Sequence, residues 1–167
     1  MKKMKKLNDQ GFSLVELVIV MAIIVILGGG VIYGLTFLMS KPVEECARKV
    51  EVGLQGNRNT TMGKLSASIS FYKDGSNIVA LESIDGDDEA TVIGRGVELY
   101  YTYASDTTNR IAVGDIGNPL VIEFDRSSGS LKPVSGTTEY VKNIIVKRGS
   151  NELTVTIERL TGRVTIN

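Results

Sequence analysis

Hydrophobic and polar residues follow two different patterns along the chain. From Leu17 to Ser40 no charged residue occurs over 24 positions, and a membrane-spanning helix needs about 20 apolar residues. Beyond residue 60, runs such as LSASISFY, PLVIEFD and ELTVTIE alternate with a period of two, which is typical of strands. The pattern predicts an α+β fold, with a long N-terminal transmembrane α-helix followed by an all-β, sandwich-like head.

The first helical stretch, 12–39, is apolar on nearly all faces, so it must be buried in lipid or in a helix bundle. Gly28, Gly29 and Gly30 interrupt it, and each glycine costs about 1 kcal/mol relative to alanine in a helix. Two interpretations remain open. The glycines let neighbouring helices approach closely, or they form a flexible point where the helix unwinds.

A second helical stretch is predicted from residue 40 to about residues 57–59, after a kink near 40–42. Ser40 can cap it, and Pro42 is tolerated in a first turn. Val43, Ala47, Val50 and Leu54 recur at spacings of three and four, and we expect this stripe to pack on the head.

The remainder, from about Lys64 to Asn167, is predicted to form eight to ten short strands. Turn signals separate the alternating runs, namely KDGSN, DGDD, RSSGS, KRGSN and LTGR. A head of about this size can form a small sandwich or a packed pair of sheets.

Charge is concentrated at the N-terminus. The chain has 19 Lys and Arg against 19 Asp and Glu, but Lys2, Lys3, Lys5 and Lys6 lie within the first six residues. Without residues 1–11, 15 bases face 18 acids, a net charge of −3 that argues against a general nucleic-acid binder. The chain has no His, which excludes an imidazole base or a His-ligated metal, and its one Cys46 is expected to be a buried hydrophobic residue.

Glu16 stands at the start of the apolar stretch. The lysines before it predict an N-terminus in the cytoplasm and an exported C-terminus. A secretory signal would be followed by an A-x-A-like cleavage site, which this apolar stretch lacks. A plain uncleaved anchor leaves Glu16 unexplained, because an acid near a membrane core is costly and usually has a partner.

The stretch KKMKKLNDQGFSLVELVIVMAII resembles the leader and N-terminal helix of the type IV pilins and pseudopilins. The resemblance implies three regions: a cleaved basic leader 1–11, an N-terminal helix 12–59 and a β-rich head 60–167. It implies that a prepilin peptidase/methyltransferase cuts between Gly11 and Phe12 and methylates Phe12. It also implies partnership with other pilin subunits, an inner-membrane assembly platform and the lipid bilayer.

In this resemblance Glu16 is the fifth residue of the mature chain, four residues after the new amine on Phe12. Residues four apart share a helical face, and in a filament the carboxylate can meet the amine of a neighbouring subunit. Pairing offsets much of the cost of burying each charge. We therefore expect Glu16 to set the register of assembly.

The last third of the chain supports a narrower resemblance. The segments LVIEFDRSSGSLKP and YVKNIIVKRGSNELTVTIERLTGRVTIN resemble the C-terminal hairpins of H-type minor pseudopilins and related minor pilins. That resemblance implies a β-sandwich head on the N-terminal helix.

Other polar clusters have simpler explanations. Residues 85–89 hold four carboxylates and could bind Ca²⁺, but a solvated hairpin turn is favoured. The basic residues of the last strands, Lys142, Lys147, Arg148, Arg159 and Arg163, alternate with acids and are read as a solvent-facing surface, so nucleic acid is not expected. In the run Tyr100–Tyr103, Tyr101 and Tyr103 share a face and Tyr100 points away.

The sequence thus predicts a structural subunit of a pilus or secretion filament, not an enzyme, without cofactor or metal. It would be a single-pass membrane protein before assembly and part of an extracellular or periplasmic filament afterwards. Two alternatives remain: an uncleaved, single-span membrane-tethered binding module, and a DNA-binding minor pilin of a competence filament.

Overall fold

A long helix precedes a run of strands, as the hydrophobic pattern predicts. The computed structural model describes residues 13–63 and 65–167. Within them helix α1 spans Leu14–Met62, followed by strands β1 Ala67–Asp74, β2 Asn77–Ile84, β3 Asp87–Arg95, β4 Glu98–Tyr103, β5 Ile111–Ala112, β6 Leu120–Glu123, β7 Val141–Arg148, β8 Asn151–Ile157 and β9 Val164–Ile166. These elements confirm the α+β prediction; residue 64, the expected start of the strands, lies outside the described residues.

The strands form two antiparallel sheets. One has the order β3-β2-β1-β6, and the other has the order β5-β4-β7-β8-β9. The predicted turn signals lie where strands reverse. The β2–β3 connection, for example, turns at Asp85 and Gly86, whose φ angles are 50° and 95°. A two-residue hairpin of this kind needs positive φ at both central positions, which Asp-Gly tolerates.

The chain divides into two compact units between Phe37 and Leu38. In the first unit, the structure describes the beginning of α1. The second unit holds the rest of α1 and both sheets, and it contains the hydrophobic core.

The core of the second unit is built by α1 as well as by the strands. The predicted stripe of Val43, Ala47, Val50 and Leu54 is buried, together with Cys46. One face of each sheet completes the core: Ile69, Phe71, Ile78, Ala80, Leu120 and Ile122 from the first sheet, and Leu99, Val141, Ile144, Val146, Val155, Ile157 and Val164 from the second. The head therefore uses the helix as part of its own interior.

The end of α1 differs from the sequence expectation. The helix continues to Met62 instead of ending at about residues 57–59. Asn57 and Thr61 extend the buried stripe, and the Thr61 hydroxyl donates a hydrogen bond to the Asn57 carbonyl at 2.9 Å. Asn and Thr have low helix propensity, but this end of the helix is held by the Thr61 hydrogen bond and by one from Arg58 Nε to the Gly129 carbonyl. The buried Asn57 amide has no hydrogen-bond partner among the described residues, so its burial opposes the extension.

Pro42 lies inside α1 and does not begin a second helix. The separate helix capped by Ser40 is therefore not observed, since one helix covers both predicted stretches. Proline inside a helix removes one backbone hydrogen bond. The kink expected near residues 40–42 stays a prediction.

Candidate processing and assembly segment

The first turn of α1 is capped by Ser13. The Glu16 amide donates to Ser13 Oγ at 3.2 Å, and the Leu17 amide donates to the Ser13 carbonyl at 3.2 Å. Ser13 and Glu16 have the spacing of a capping box, in which a Ser at the N-cap is followed three residues later by Glu or Gln. This signal was present in the sequence and was missed there. The predicted cleavage residues Gly11 and Phe12 lie outside the described residues.

Glu16 is placed where the helix itself favours an acid. It occupies the first turn of α1, where the helix dipole favours negative charge by about 0.3–1 kcal/mol. Two roles are therefore open for Glu16, namely starting the helix and the predicted role in subunit assembly. The two roles differ in one respect: glutamine can serve in a capping box but cannot neutralise an ammonium ion.

The beginning of α1 exposes a continuous apolar surface. Relative exposure ranges from 81% at Leu14 to 48% at Val20. The large exposed residues of this surface are Leu14, Val15, Leu17, Val18, Ile19, Val20, Met21, Ile23, Ile24, Val25 and Ile26. Exposed apolar patches of this kind mark protein–protein or membrane interaction sites, so we expect protein or lipid to cover this surface.

No helix in the described part of the chain is both long and apolar enough to span a membrane.

Gly28, Gly29 and Gly30 lie within α1. Their proposed role as a flexible point of the helix stays a prediction.

The other end of α1 is joined to the head through Arg58. Its Nε donates to the Gly129 carbonyl at 3.1 Å. A Cβ placed on Gly162 would lie 2.8 Å from Arg58 Nε and would overlap the Gly129 carbonyl oxygen. The RSSGS and LTGR turns therefore meet at Arg58, which neither motif indicates by itself.

The RSSGS turn is organised by the preceding acid, Asp125. Its Oδ1 accepts hydrogen bonds from the hydroxyls of Ser127 at 2.6 Å and Ser128 at 2.8 Å, and from both amides. These donors, the two hydroxyls first, hold the pKa of Asp125 well below its usual value. Hydrogen bonds within the turn therefore fix its conformation independently of its contact with Arg58.

The remaining polar candidates take structural roles. Asp85 accepts from the Ser66 amide at 2.8 Å within the β2–β3 turn, and in the described residues no group of three His, Cys, Asp or Glu could hold a metal. Lys142 pairs with Glu158 at 2.6 Å, and Arg159 lies over the Tyr140 ring at 3.9 Å. Asp85 therefore lies in a hairpin turn, and Lys142 and Arg159 have partners within the head.

Tyr101 and Tyr103 share a face, as predicted, with ring centroids 5.5 Å apart in an edge-to-face arrangement. Tyr100 instead donates through its hydroxyl to Glu98 at 3.0 Å. The pair belongs to strand packing, with Tyr101 lying against the core.

Comparison with known proteins bears on the N-terminus. The prokaryotic N-terminal methylation motif matches residues 6–32. This is the signature of type IV pilins and pseudopilins. The match includes Gly11, Phe12, Glu16 and the exposed apolar part of α1. No curated protein and no solved structure matches the chain.

The pilin-like signature accounts for several features together. The matched residues include one lysine of the basic N-terminus, the acid Glu16 and most of the uncharged stretch that begins at Leu17. The β-rich head lies outside the match.

Proposed function

We propose that this pilin-like chain is a minor pilin or pseudopilin, a non-enzymatic structural subunit of a type IV pilus or a type II secretion-like filament. It is cleaved after Gly11, methylated at Phe12 and assembled through its apolar helix. The observation that carries the proposal is the methylation motif at 6–32, whose apolar side chains from Leu14 to Ile26 are exposed on α1. Before assembly the helix 12–39 anchors the chain in the membrane with the head outside.

Glu16 sets the order of assembly in this proposal. The new ammonium on Phe12 and the Glu16 carboxylate enter an apolar surface, where an unpaired charge is costly. Breaking a buried ion pair by removing one partner costs about 3–5 kcal/mol. A subunit whose carboxylate meets the ammonium of its neighbour avoids that cost, so correct register is favoured.

Mass spectrometry of the exported chain tests processing. We expect an N-terminal methylated Phe12 in cells with the prepilin peptidase and an intact leader in cells without it. An exported chain that keeps Met1–Gly11 in both strains would contradict the proposal and favour the uncleaved membrane tether.

Three variants separate assembly from helix capping. Glu16→Gln keeps the capping-box residue type but loses the charge, Glu16→Ala loses both, and Glu51→Gln makes the same charge change on α1 within the head. We expect processing in all three, with filament incorporation lowered at least about 100-fold in both Glu16 variants because of the unpaired ammonium. The assay is the subunit content of sheared filaments. Normal incorporation of Glu16→Gln would contradict the assembly role and leave Glu16 with a role in capping the helix only.

The two-sheet head and the resemblance of its last hairpins support a minor subunit of the H-type pseudopilin kind. A minor subunit is present in few copies per filament. Quantitative mass spectrometry of purified filaments checks this, since a chain that makes up most of the filament would be a major pilin.

A further inference from the structure

A cleft with a concentration of positive charge lies beside α1, where the end of β3 and the end of β7 approach the helix. Its volume is about 650 Å³. The charged residues that line it, here called the basic cleft, are Lys41, Lys49, Arg95, Arg148 and Glu45. Four cations against one carboxylate leave a net charge of +3 in a mature chain that is net acidic.

The two arginines of the basic cleft are not neutralised by the head. Their cross-strand neighbours are asparagines, Asn77 for Arg95 and Asn151 for Arg148. Within the described residues neither arginine forms an ion pair, and both are exposed. Their guanidinium donors therefore face the solvent of the cleft.

The single carboxylate of the cleft is engaged along the helix. Glu45 Oε1 pairs with Lys49 Nζ at 2.9 Å, and the Lys49 side chain remains 43% exposed. A lysine ammonium has three donors, so this pair leaves Lys49 able to contact a further anion. Arg95, Arg148 and Lys49 therefore present donors to an anion that enters the cleft.

Close approach of β3 to α1 shapes the wall of the cleft. A Cβ on Gly94 would lie 2.8 Å from Cys46 Sγ, so a side chain cannot be placed there without moving the strand. Gly94 immediately precedes Arg95 at the end of β3, and both residues line the cleft. The cleft is thus fixed by core packing.

The charge of the cleft is local. A second groove beside α1 is lined by Glu44, Glu51 and Glu152, with Arg48 as its cation. A head with grooves of opposite charge does not attract anions uniformly. The head therefore attracts anions mainly on the side that carries Arg95 and Arg148.

We propose that the basic cleft binds the phosphate of an anionic phospholipid headgroup. Lys41 directly follows the uncharged stretch from Leu17 to Ser40, so a bilayer that holds that stretch brings its surface to Lys41. This step rests on the membrane anchoring in the proposed function. Planar guanidinium groups match phosphate oxygens well, and clustered Lys and Arg next to a membrane segment attract anionic lipid.

Native mass spectrometry of the full, uncleaved chain tests the cleft. The protein, in a neutral maltoside detergent, is incubated with equimolar phosphatidylglycerol and phosphatidylcholine, and the retained lipids are compared. We expect a preference for phosphatidylglycerol that falls about 25-fold in Arg95→Gln/Arg148→Gln, or about fivefold per cation. The matched control, Arg126→Gln/Arg163→Gln, makes the same charge change at exposed positions outside the cleft and should keep the preference.

Equal retention of the two lipids by the wild-type chain would overturn the proposal, as would an unchanged preference in Arg95→Gln/Arg148→Gln. Inorganic phosphate alone distinguishes a soluble source: if it displaces phosphatidylglycerol at equal concentration, the ligand is a free anion and the lipid assignment is wrong. Circular dichroism verifies that the variants are folded. Because the assay needs neither cleavage nor assembly, its failure is separate from a failure of processing at Gly11.

Discussion

We expect Gly162→Ala to destabilise the head strongly. Gly162 has a left-handed backbone conformation, and there is no space for a Cβ at this position. Its φ is +62°, and a Cβ there would overlap the Gly129 carbonyl oxygen and approach Arg58 Nε. Gly149, in the β7–β8 turn, has a φ of +60° and nothing within 4 Å of the same Cβ. The two glycines therefore form a matched pair that differs in packing alone.

The expected magnitudes follow from this comparison. A left-handed conformation costs alanine about 1–2 kcal/mol, offset by about 0.4–1 kcal/mol because alanine restricts the unfolded chain. Gly149→Ala should therefore lose about 1 kcal/mol. Gly162→Ala also loses the hydrogen bond from Arg58, about 1.5–3 kcal/mol, and forces two loops apart, about 1–3 kcal/mol. Its total loss should be about 4–6 kcal/mol.

Thermal unfolding of the full chain in neutral detergent, followed by circular dichroism, measures the difference. At roughly 4 °C per kcal/mol for a head of this size, Tm should fall by about 4 °C in Gly149→Ala and by about 15–25 °C in Gly162→Ala. In an Arg58→Ala background, Gly162→Ala should cost less, since residues in contact are coupled. Equal Tm values for the two glycine variants would refute the conclusion that the RSSGS and LTGR turns pack together at Arg58.

Two further predictions concern ionisable groups in the head. Burial, the largest cause, raises the pKa of the Cys46 thiol to about 12, so a maleimide should not label the native chain at pH 7 but should label it in urea; rapid native labelling would contradict the core position. The hydrogen bonds that lower the pKa of Asp125 stabilise the fold above about pH 4 and are lost as pH falls through the lower folded-state pKa. The Tm of Asp125→Ala should therefore fall less than that of the wild type between pH 7 and pH 3. An equally large fall in both proteins would show that the hydrogen bonds of Asp125 do not stabilise this turn.

Features that depend on near neighbours along the chain could be predicted from the amino-acid sequence. The apolar run, the basic leader, Gly11, Phe12 and Glu16 form a local motif, and its match at 6–32 confirmed the pilin-like signature. Turns such as Asp85–Gly86 were equally readable, because the left-handed conformation they require is a property of one or two residues. Capping of α1 by Ser13 belongs to this class too, although it was overlooked.

Tertiary structure decided the features that join distant segments. The sequence placed the end of α1 too early, because Asn57 and Thr61 are poor helix formers, whereas contacts made in the folded head hold the last turns. Arg58 meets Gly129, 71 residues away, and the arginines of the basic cleft come from two strands of different sheets. Periodicity reports which face of a strand is buried, but it carries no information on which loop reaches that face; only the packed chain supplies it.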